Sequence, residues 1–429
     1  LITLDGLTAP VTVTRDVYGI PHIKGESQTD VYFGLGFVHA QDRMWQMETA
    51  RRAGAGRLSE IFGKTTLNAD KYLRGLGFYH AAKASLHHYE KASRALIEAY
   101  ATGINAYLAS HKGPLPLEFL VFRHQPELWT AADSVVSAKM MSQKLGANAD
   151  AELMRHQLAQ QLTPSQLSEL WPSYPGNPPR PLEEVKALPG APALIEAVLA
   201  ALPPTATGKV GSNNWVVDGR HTQTGKPLLA NDPHLGLSAP SPWYIAHLSA
   251  PNLNVAGATL PGIPIIIVGR NEALAWGITN TGPDVQDFFV EKTVENDPTR
   301  YMTPHGTAAF HKRTETIRVK DSPNVSMEIR ETRHGPVISD ASAPHANAIS
   351  NDEALALAWT ALSHNDTTLQ AGFRLANAKS WPEMQVALRD FIAPQQNFVS
   401  AHIDGGINFI AAGRVPIRRN GDGWLPSAG

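Results

Sequence analysis

At Gly211 the chain changes texture, and that change constrains its fold more than any other feature. Upstream, Tyr32, Leu35, Phe37, Val38, Met44, Trp45 and Met47 recur at three- and four-residue steps, with Asp42, Arg43, Arg51 and Arg52 between them, and predict a helix over 30–61. Residues 81–110 and 131–162 also read as helices, and the alternating Val, Thr and Ile of 11–23 as a strand pair ahead of them. Downstream, short runs at 213–217, 227–230, 243–248, 255–258, 263–268 and 273–279 are parted by Gly, Pro, Asn and Asp, which predicts an antiparallel sheet of hairpins. Between the two halves, 171–204 is dense in proline (Pro178, Pro179, Pro181, Pro203, Pro204) and reads as an exposed linker with one short helix near 193–202. Taken alone, that stretch needs no role beyond a tether. The class is α+β.

The 429 residues are 43% hydrophobic and 18% charged, ample for a large core. A formal net charge of −2 gives no reason to expect nucleic acid or an anionic membrane as partner. Cysteine is absent, which excludes disulfides, thiolate zinc sites and cysteine nucleophiles. No apolar run approaches the ~20 residues of a spanning helix. The start at Leu1, without a charged or apolar leader, implies that any signal peptide has already been left out. Several catalytic signatures fail. Gly63-Lys64-Thr65 ends like a phosphate-binding loop, but its leading glycine is replaced by Leu58. His-Glu-x-x-His, Gly-x-Ser-x-Gly and Ser-x-x-Lys are all missing. His87 and His88, adjacent on a polar helix, read as solvated surface.

The informative segment is Gly211-Ser212-Asn213-Asn214-Trp215-Val216-Val217. A serine hydroxyl is a poor nucleophile until a base takes its proton. If Ser212 became a chain terminus, its own α-amine, with pKa near ~8, would be partly neutral and could act as that base. Gly211 adds little bulk beside the scissile carbonyl and permits the backbone geometry that self-cleavage needs. A mobile linker before a strand suits a segment that must be cut and moved aside.

Alone, Gly-Ser-Asn-Asn would more often be a turn entering a strand. The wider pattern is specific. After Ser212 to Val217 come Asn231-Asp232-Pro233-His234-Leu235, Pro261-Gly262-Ile263-Pro264, Gly269-Arg270-Asn271 and Ala275-Trp276-Gly277-Ile278-Thr279-Asn280. Upstream lie Thr14-Arg15-Asp16-Val17-Tyr18-Gly19-Ile20-Pro21-His22-Ile23 and Gly36-Phe37-Val38-His39-Ala40-Gln41-Asp42-Arg43; downstream lie Gln396-Asn397-Phe398-Val399 and Gly413-Arg414-Val415-Pro416. In order and spacing, over essentially the whole chain, these resemble the penicillin acylase family of N-terminal-nucleophile hydrolases.

The resemblance implies a four-layer αββα sandwich. A helical small subunit (1–180), a spacer (181–211) and the first part of a large subunit (212–429) would come from one precursor and form a heterodimer. Ser212 falls on the nucleophile and Gly211-Ser212 on the processing site. His234 falls on the position that holds the terminal amine or tunes its basicity. The backbone N–H of Asn280 or Thr281 and the side chain of Asn397 fall on the oxyanion donors, and Arg418, or its neighbour Arg419, on a cation near the amine. Glu152, Asp284, Asp287 and the carbonyl of Gln286 fall on ligands of a structural Ca²⁺, as oxygen donors suit; no organic cofactor is implied. Met141 and Leu145 fall on the acyl pocket, where Leu145 replaces an aromatic of phenylacetyl-preferring members; with His234 this points to aliphatic acyl chains.

The implied activity is linear-amide hydrolysis of small N-acyl compounds such as penicillins or acyl-homoserine lactones, in the periplasm or outside the cell. Family members run well past the Gly-Arg-Val-Pro stretch, so the resemblance also implies a truncated large subunit. The alternative reading is an unprocessed acylase-like scaffold that binds ligands without turnover; an unrelated β-rich protein would not explain the motif order.

Overall fold

The structure, a computed structural model, describes residues 2–146, 148–159, 162–172, 211–347, 349–419 and 421–429. The linker at 173–210, including the short helix expected there and all of the spacer except Gly211, lies outside them.

A two-stranded ribbon, β1 (Thr12–Arg15) and β2 (Pro21–Lys24), opens the chain. The helices follow as α1 (Gln28–Ala55), α2 (Ser59–Phe62), α3 (Leu67–Leu76), α4 (Phe78–Ser85), α5 (Lys91–Ser110), α6 (Leu117–Val121), α7 (Ala131–Leu145), α8 (Ala149–Ala159) and α9 (Pro164–Leu170). Each of the three long helices predicted from periodicity is divided. Helix α1 begins where the Ser27 hydroxyl accepts from Asp30 N–H. It ends where Gly56 turns left-handed (φ 60°) and returns its N–H to the last turn. A turn at 86–90 separates α4 from α5; His87 and His88 are exposed there, on a turn rather than on a helix. Gly146 leaves helical geometry between α7 and α8. Helices α1 and α5 cross at backbone contact. A Cβ on Gly36 would lie 2.1 Å from the Tyr100 carbonyl, and one on Gly103 1.9 Å from that of Phe33, so both positions require glycine.

After Gly211 come β3 (Gly211–Val217), β4 (Leu228–His234), β5 (Tyr244–Ala250), β6 (Leu253–Leu260), β7 (Ile263–Arg270), β8 (Leu274–Asn280) and β9 (Gln286–Val294). Then follow β10 (Asp297–Thr303), β11 (Gly306–Ala309), β12 (His311–Ile317), β13 (Val325–Thr332), β14 (Gly335–Pro336), β15 (Glu353–Trp359), β16 (Gln396–His402), β17 (Ile407–Ala412) and β18 (Ser427–Ala428). Eight strands form the main sheet in the order β1-β2-β5-β6-β7-β8-β16-β17. The pairing is antiparallel, as expected, except that β2 lies parallel to β5, with His22 opposite His247. The N-terminal ribbon thus extends a sheet built mainly by residues beyond Ser212.

A second sheet runs β11-β10-β9-β15, with β18 added to β9. Strands β3 and β4 form a separate hairpin that rests on β8 and β16. The main core joins both halves of the chain, with Tyr32, Tyr100, Trp276 and Phe288 among its fully buried side chains. The content is mixed α and β.

Candidate active site

Strand β3 alternates exposed and half-buried residues, so Ser212, Asn214 and Val216 share the inward face. Opposite, Pro233 pairs Ser212 and His234 pairs Gly211. Asn231 ties this hairpin to the main sheet. Its Nδ2 donates to the Asn213 carbonyl and to the Ile278 carbonyl, each at 2.9 Å, and its Oδ1 accepts Ile278 N–H at 2.9 Å. One amide side chain thereby takes the place of a strand beside β8. Gly277 admits it, since a Cβ there would sit 3.0 Å from the Asn231 Cβ.

That tie places Ser212 on the wall of a cavity bounded by α7, β7, β8 and the helix Thr368–Asn377. Water-sized solvent finds about 90 Å³ there, and the lining is largely apolar. Met141 and Leu145 of α7 line it, as do Asn280, Ile265, Leu369 and Phe398. Ser212, Asn280 and both predicted pocket residues therefore meet in one place.

The hydrogen bonds around β8 separate Asn280 from Thr281. The Thr281 N–H donates to the Gln395 carbonyl at 3.3 Å. In an antiparallel ladder the neighbouring amide then points to the opposite side, which for Asn280 is away from β16. On that side β7 pairs β8 only at Trp276 and Ala275, and Asn231 takes Ile278. The Asn280 side chain is itself engaged, with Nδ2 donating to the Leu145 carbonyl at 2.7 Å and Oδ1 accepting from Gln396 at 3.3 Å. Asn397 lies one strand further on, half-buried on β16, with Nδ2 donating to Thr279 Oγ1 at 3.2 Å. It does not line the Ser212 cavity.

His234 stands beside Gly211. A Cβ on Gly211 would lie 3.6 Å from its Nδ1, while its Nε2 is 2.9 Å from Asp232 Oδ2. Both are exposed.

Arg418 does not line the Ser212 cavity; its Nε donates to Asp287 Oδ1 at 2.8 Å and its Nη2 lies 3.2 Å from Asp284 Oδ1. Two carboxylates in one cluster attract the guanidinium. Neighbouring Arg419 does not line the Ser212 cavity either.

Asp284 and Asp287 meet Glu152 of α8, with one carboxylate oxygen of each within 4.8 Å of the others. Glu152 Oε2 accepts Phe288 N–H at 3.0 Å, whereas Oε1 is buried without a hydrogen-bond partner. Burial, reinforced by the charges of Asp287 and Asp284, pushes the Glu152 carboxyl up to about 9. Burial, followed by Asp287, also raises Asp284, against the opposing pull of Arg418. Three acids with an orphaned oxygen fit a hard cation. The Gln286 carbonyl accepts from Asn148 Nδ2 at 3.2 Å, and Asn148 Nδ2 also donates to Asp284 at 2.6 Å. Neither Asn148 nor Asn231 was assigned a role from sequence, although Asn231 lies in a quoted motif.

Ser212 thus stands on the wall of a largely apolar cavity. The sequence profile of the penicillin amidase family matches residues 10–429, and the chain belongs to that family. It is 32% identical over 440 residues to the acyl-homoserine lactone acylase QuiP of Pseudomonas aeruginosa, covering 99% of this chain and 52% of that protein. It is 32% identical over 447 residues to the penicillin acylase 2 proenzyme of Pseudomonas sp. strain SE83, covering 100% and 55%. Penicillin G acylase of Escherichia coli matches at 26% over 487 residues, covering 98% and 56%. The chain thus spans about half the length of these curated relatives.

Proposed function

We propose that this chain carries the nucleophile-bearing part of an acylase that hydrolyses linear amides of small N-acyl compounds. The observation that supports it best is the placement of Ser212 on an apolar cavity shared with Asn280, Met141 and Leu145. Cleavage between Gly211 and Ser212 would free an α-amine, dividing the precursor into a small subunit and a large one. That amine takes the Ser212 hydroxyl proton as Oγ attacks the substrate carbonyl. The carbonyl oxygen gains negative charge, for which the Asn280 N–H is the favoured donor and Asn397 a second once its bond to Thr279 is exchanged. The proton passes to the leaving nitrogen as the C–N bond breaks. Water then hydrolyses the ester and restores Ser212.

His234, beside Gly211, would orient the new amine. Glu152, Asp284, Asp287 and the Gln286 carbonyl would hold a Ca²⁺ that joins α8 to β9, a structural charge. Among the described residues no helix is long and apolar enough to cross a membrane; a periplasmic or secreted location rests on the family alone.

The substrate class follows the relatives' names, acyl-homoserine lactones or penicillins. Leu145, with Leu260, Ile265 and Leu369 in the same lining, favours straight acyl chains. Hydrolysis of octanoyl and phenylacetyl p-nitroanilides decides: the reading predicts an octanoyl preference, and a clear phenylacetyl preference overturns it.

A further inference from the structure

Outside the Ser212 cavity, exposed His22 and half-buried His247 face each other across the parallel β2–β5 pair. His22 Nδ1 and His247 Nδ1 are 3.0 Å apart, with the rings nearly perpendicular. The far side of each ring faces an oxygen. His247 Nε2 is 2.8 Å from Asn254 Oδ1, and the same amide donates through Nδ2 to Glu272 Oε1 at 3.1 Å. The Glu272 carboxylate therefore fixes which end of Asn254 meets His247: the oxygen, which needs a proton on Nε2. His22 Nε2 faces Asp16 Oδ2 at 3.6 Å, while Asp16 Oδ1 is held by the Tyr18 and Ile20 amides. A carboxylate there also favours the proton on Nε2. With both protons on the outer nitrogens, two neutral rings would oppose bare lone pairs at 3.0 Å, an arrangement that calls for a cation between them.

We propose that His22 and His247 form a transition-metal site, taking Zn²⁺, Ni²⁺ or Cu²⁺ through their two Nδ1 atoms, with water completing the coordination. Imidazole nitrogens suit these ions. Two nitrogens each about 2.0–2.1 Å from one ion lie roughly 3.0–3.4 Å apart, so a small rotation of each ring aims both lone pairs at one point. The outer partners, Asp16 and the Asn254–Glu272 relay, are the kind that orient ligating imidazoles and raise their basicity. The two ligands come from opposite sides of Gly211. A bound ion therefore fastens the N-terminal ribbon to the sheet, and would cross-link the two pieces of a cleaved chain.

The test is titration of the purified protein with CuSO₄ and, separately, ZnCl₂, in the presence of excess CaCl₂, alongside His22→Gln and His247→Gln. Neither side chain is buried, so circular dichroism should show all three proteins folded alike. The expected result is one more Cu²⁺ bound per chain in the parent than in either variant, with electron paramagnetic resonance showing nitrogen coupling that each variant loses. Zn²⁺ should raise the thermal midpoint of the parent alone. Equal copper binding and an equal zinc response in all three would overturn the site. A pair that takes up only a proton, seen as a histidine titration indifferent to Zn²⁺, would overturn it as well.

Discussion

The side-chain amide of Asn231 holds Ile278 as a neighbouring strand would, accepting its N–H and donating to its carbonyl, both at 2.9 Å. A third bond, to the Asn213 carbonyl, brings in the residue next to Ser212. Asn231→Asp keeps the size but sets a carboxylate against two carbonyl oxygens. Three bonds at about 1 kcal/mol each, discounted for partial exposure, put the cost at about 1–3 kcal/mol. Urea unfolding of Asn231→Asp and Asn231→Ala should show it. Processing after Gly211 should slow in both, because the hairpin no longer seats Ser212 against β8.

Leu145 bounds the cavity that Ser212 enters. Leu145→Trp fills that space, so kcat/KM for an octanoyl anilide should fall by about tenfold or more, the range expected when a pocket loses room for one or two methylenes. An acetyl anilide, too short to reach the wall, should change by less than about twofold on the same reasoning. Equal losses on both would mean that the acyl chain lies elsewhere.

His39 sits fully buried between the Tyr100 hydroxyl at 2.7 Å and Thr259 Oγ1 at 2.9 Å. Burial, then the Arg43 charge, lowers its pKa to about 3, and burial alone lowers that of His345 to about 4. Between these values and the unfolded value near ~6.5, the unfolded chain binds more protons, so stability rises with pH. The contribution is complete above pH ~6.5 and is lost as pH falls toward the folded values. Each group adds a slope of up to ~1.4 kcal/mol per pH unit. Urea midpoints between pH 7 and 5 should fall accordingly, and His39→Gln, able to keep both bonds, should flatten the dependence.

The acid cluster predicts a calcium response. Adding Ca²⁺ to chelator-treated protein should raise its thermal midpoint, by the equivalent of about 2.7 kcal/mol at a hundredfold excess over Kd. Glu152→Gln, which cannot give up a proton to become an anionic ligand, should abolish the response. An unchanged midpoint in the parent protein would remove calcium from the account.

What was legible from sequence was local. The runs at 213–217, 263–268 and 273–279 emerge as β3, β7 and β8 with boundaries shifted by at most two residues, because alternation and turn residues act over short range. Helix ends were less legible: 30–61 and 131–162 are interrupted at Gly56 and Gly146, where capping and local backbone geometry override periodicity. The parallel β2–β5 pair joins residues 225 apart, and no local pattern announces it. At the site, Ser212, Asn280, Met141 and Leu145 share a cavity because the motifs that carry them pack together. The pairing of Arg418 with Asp284 and Asp287 is a tertiary fact that no local pattern announces. Asn231 was visible as a letter in a motif, but its work, standing in for a strand, exists only once β4 meets β8.

The central claim is that Ser212 becomes a chain terminus. Intact mass of the purified, denatured protein, with N-terminal sequencing of every fragment, tests it most directly. The account predicts two fragments, one beginning Ser212-Asn213-Asn214, and a single uncut Ser212→Ala chain. An uncut parent chain, or cleavage at another bond, would contradict it and leave Ser212 without its base.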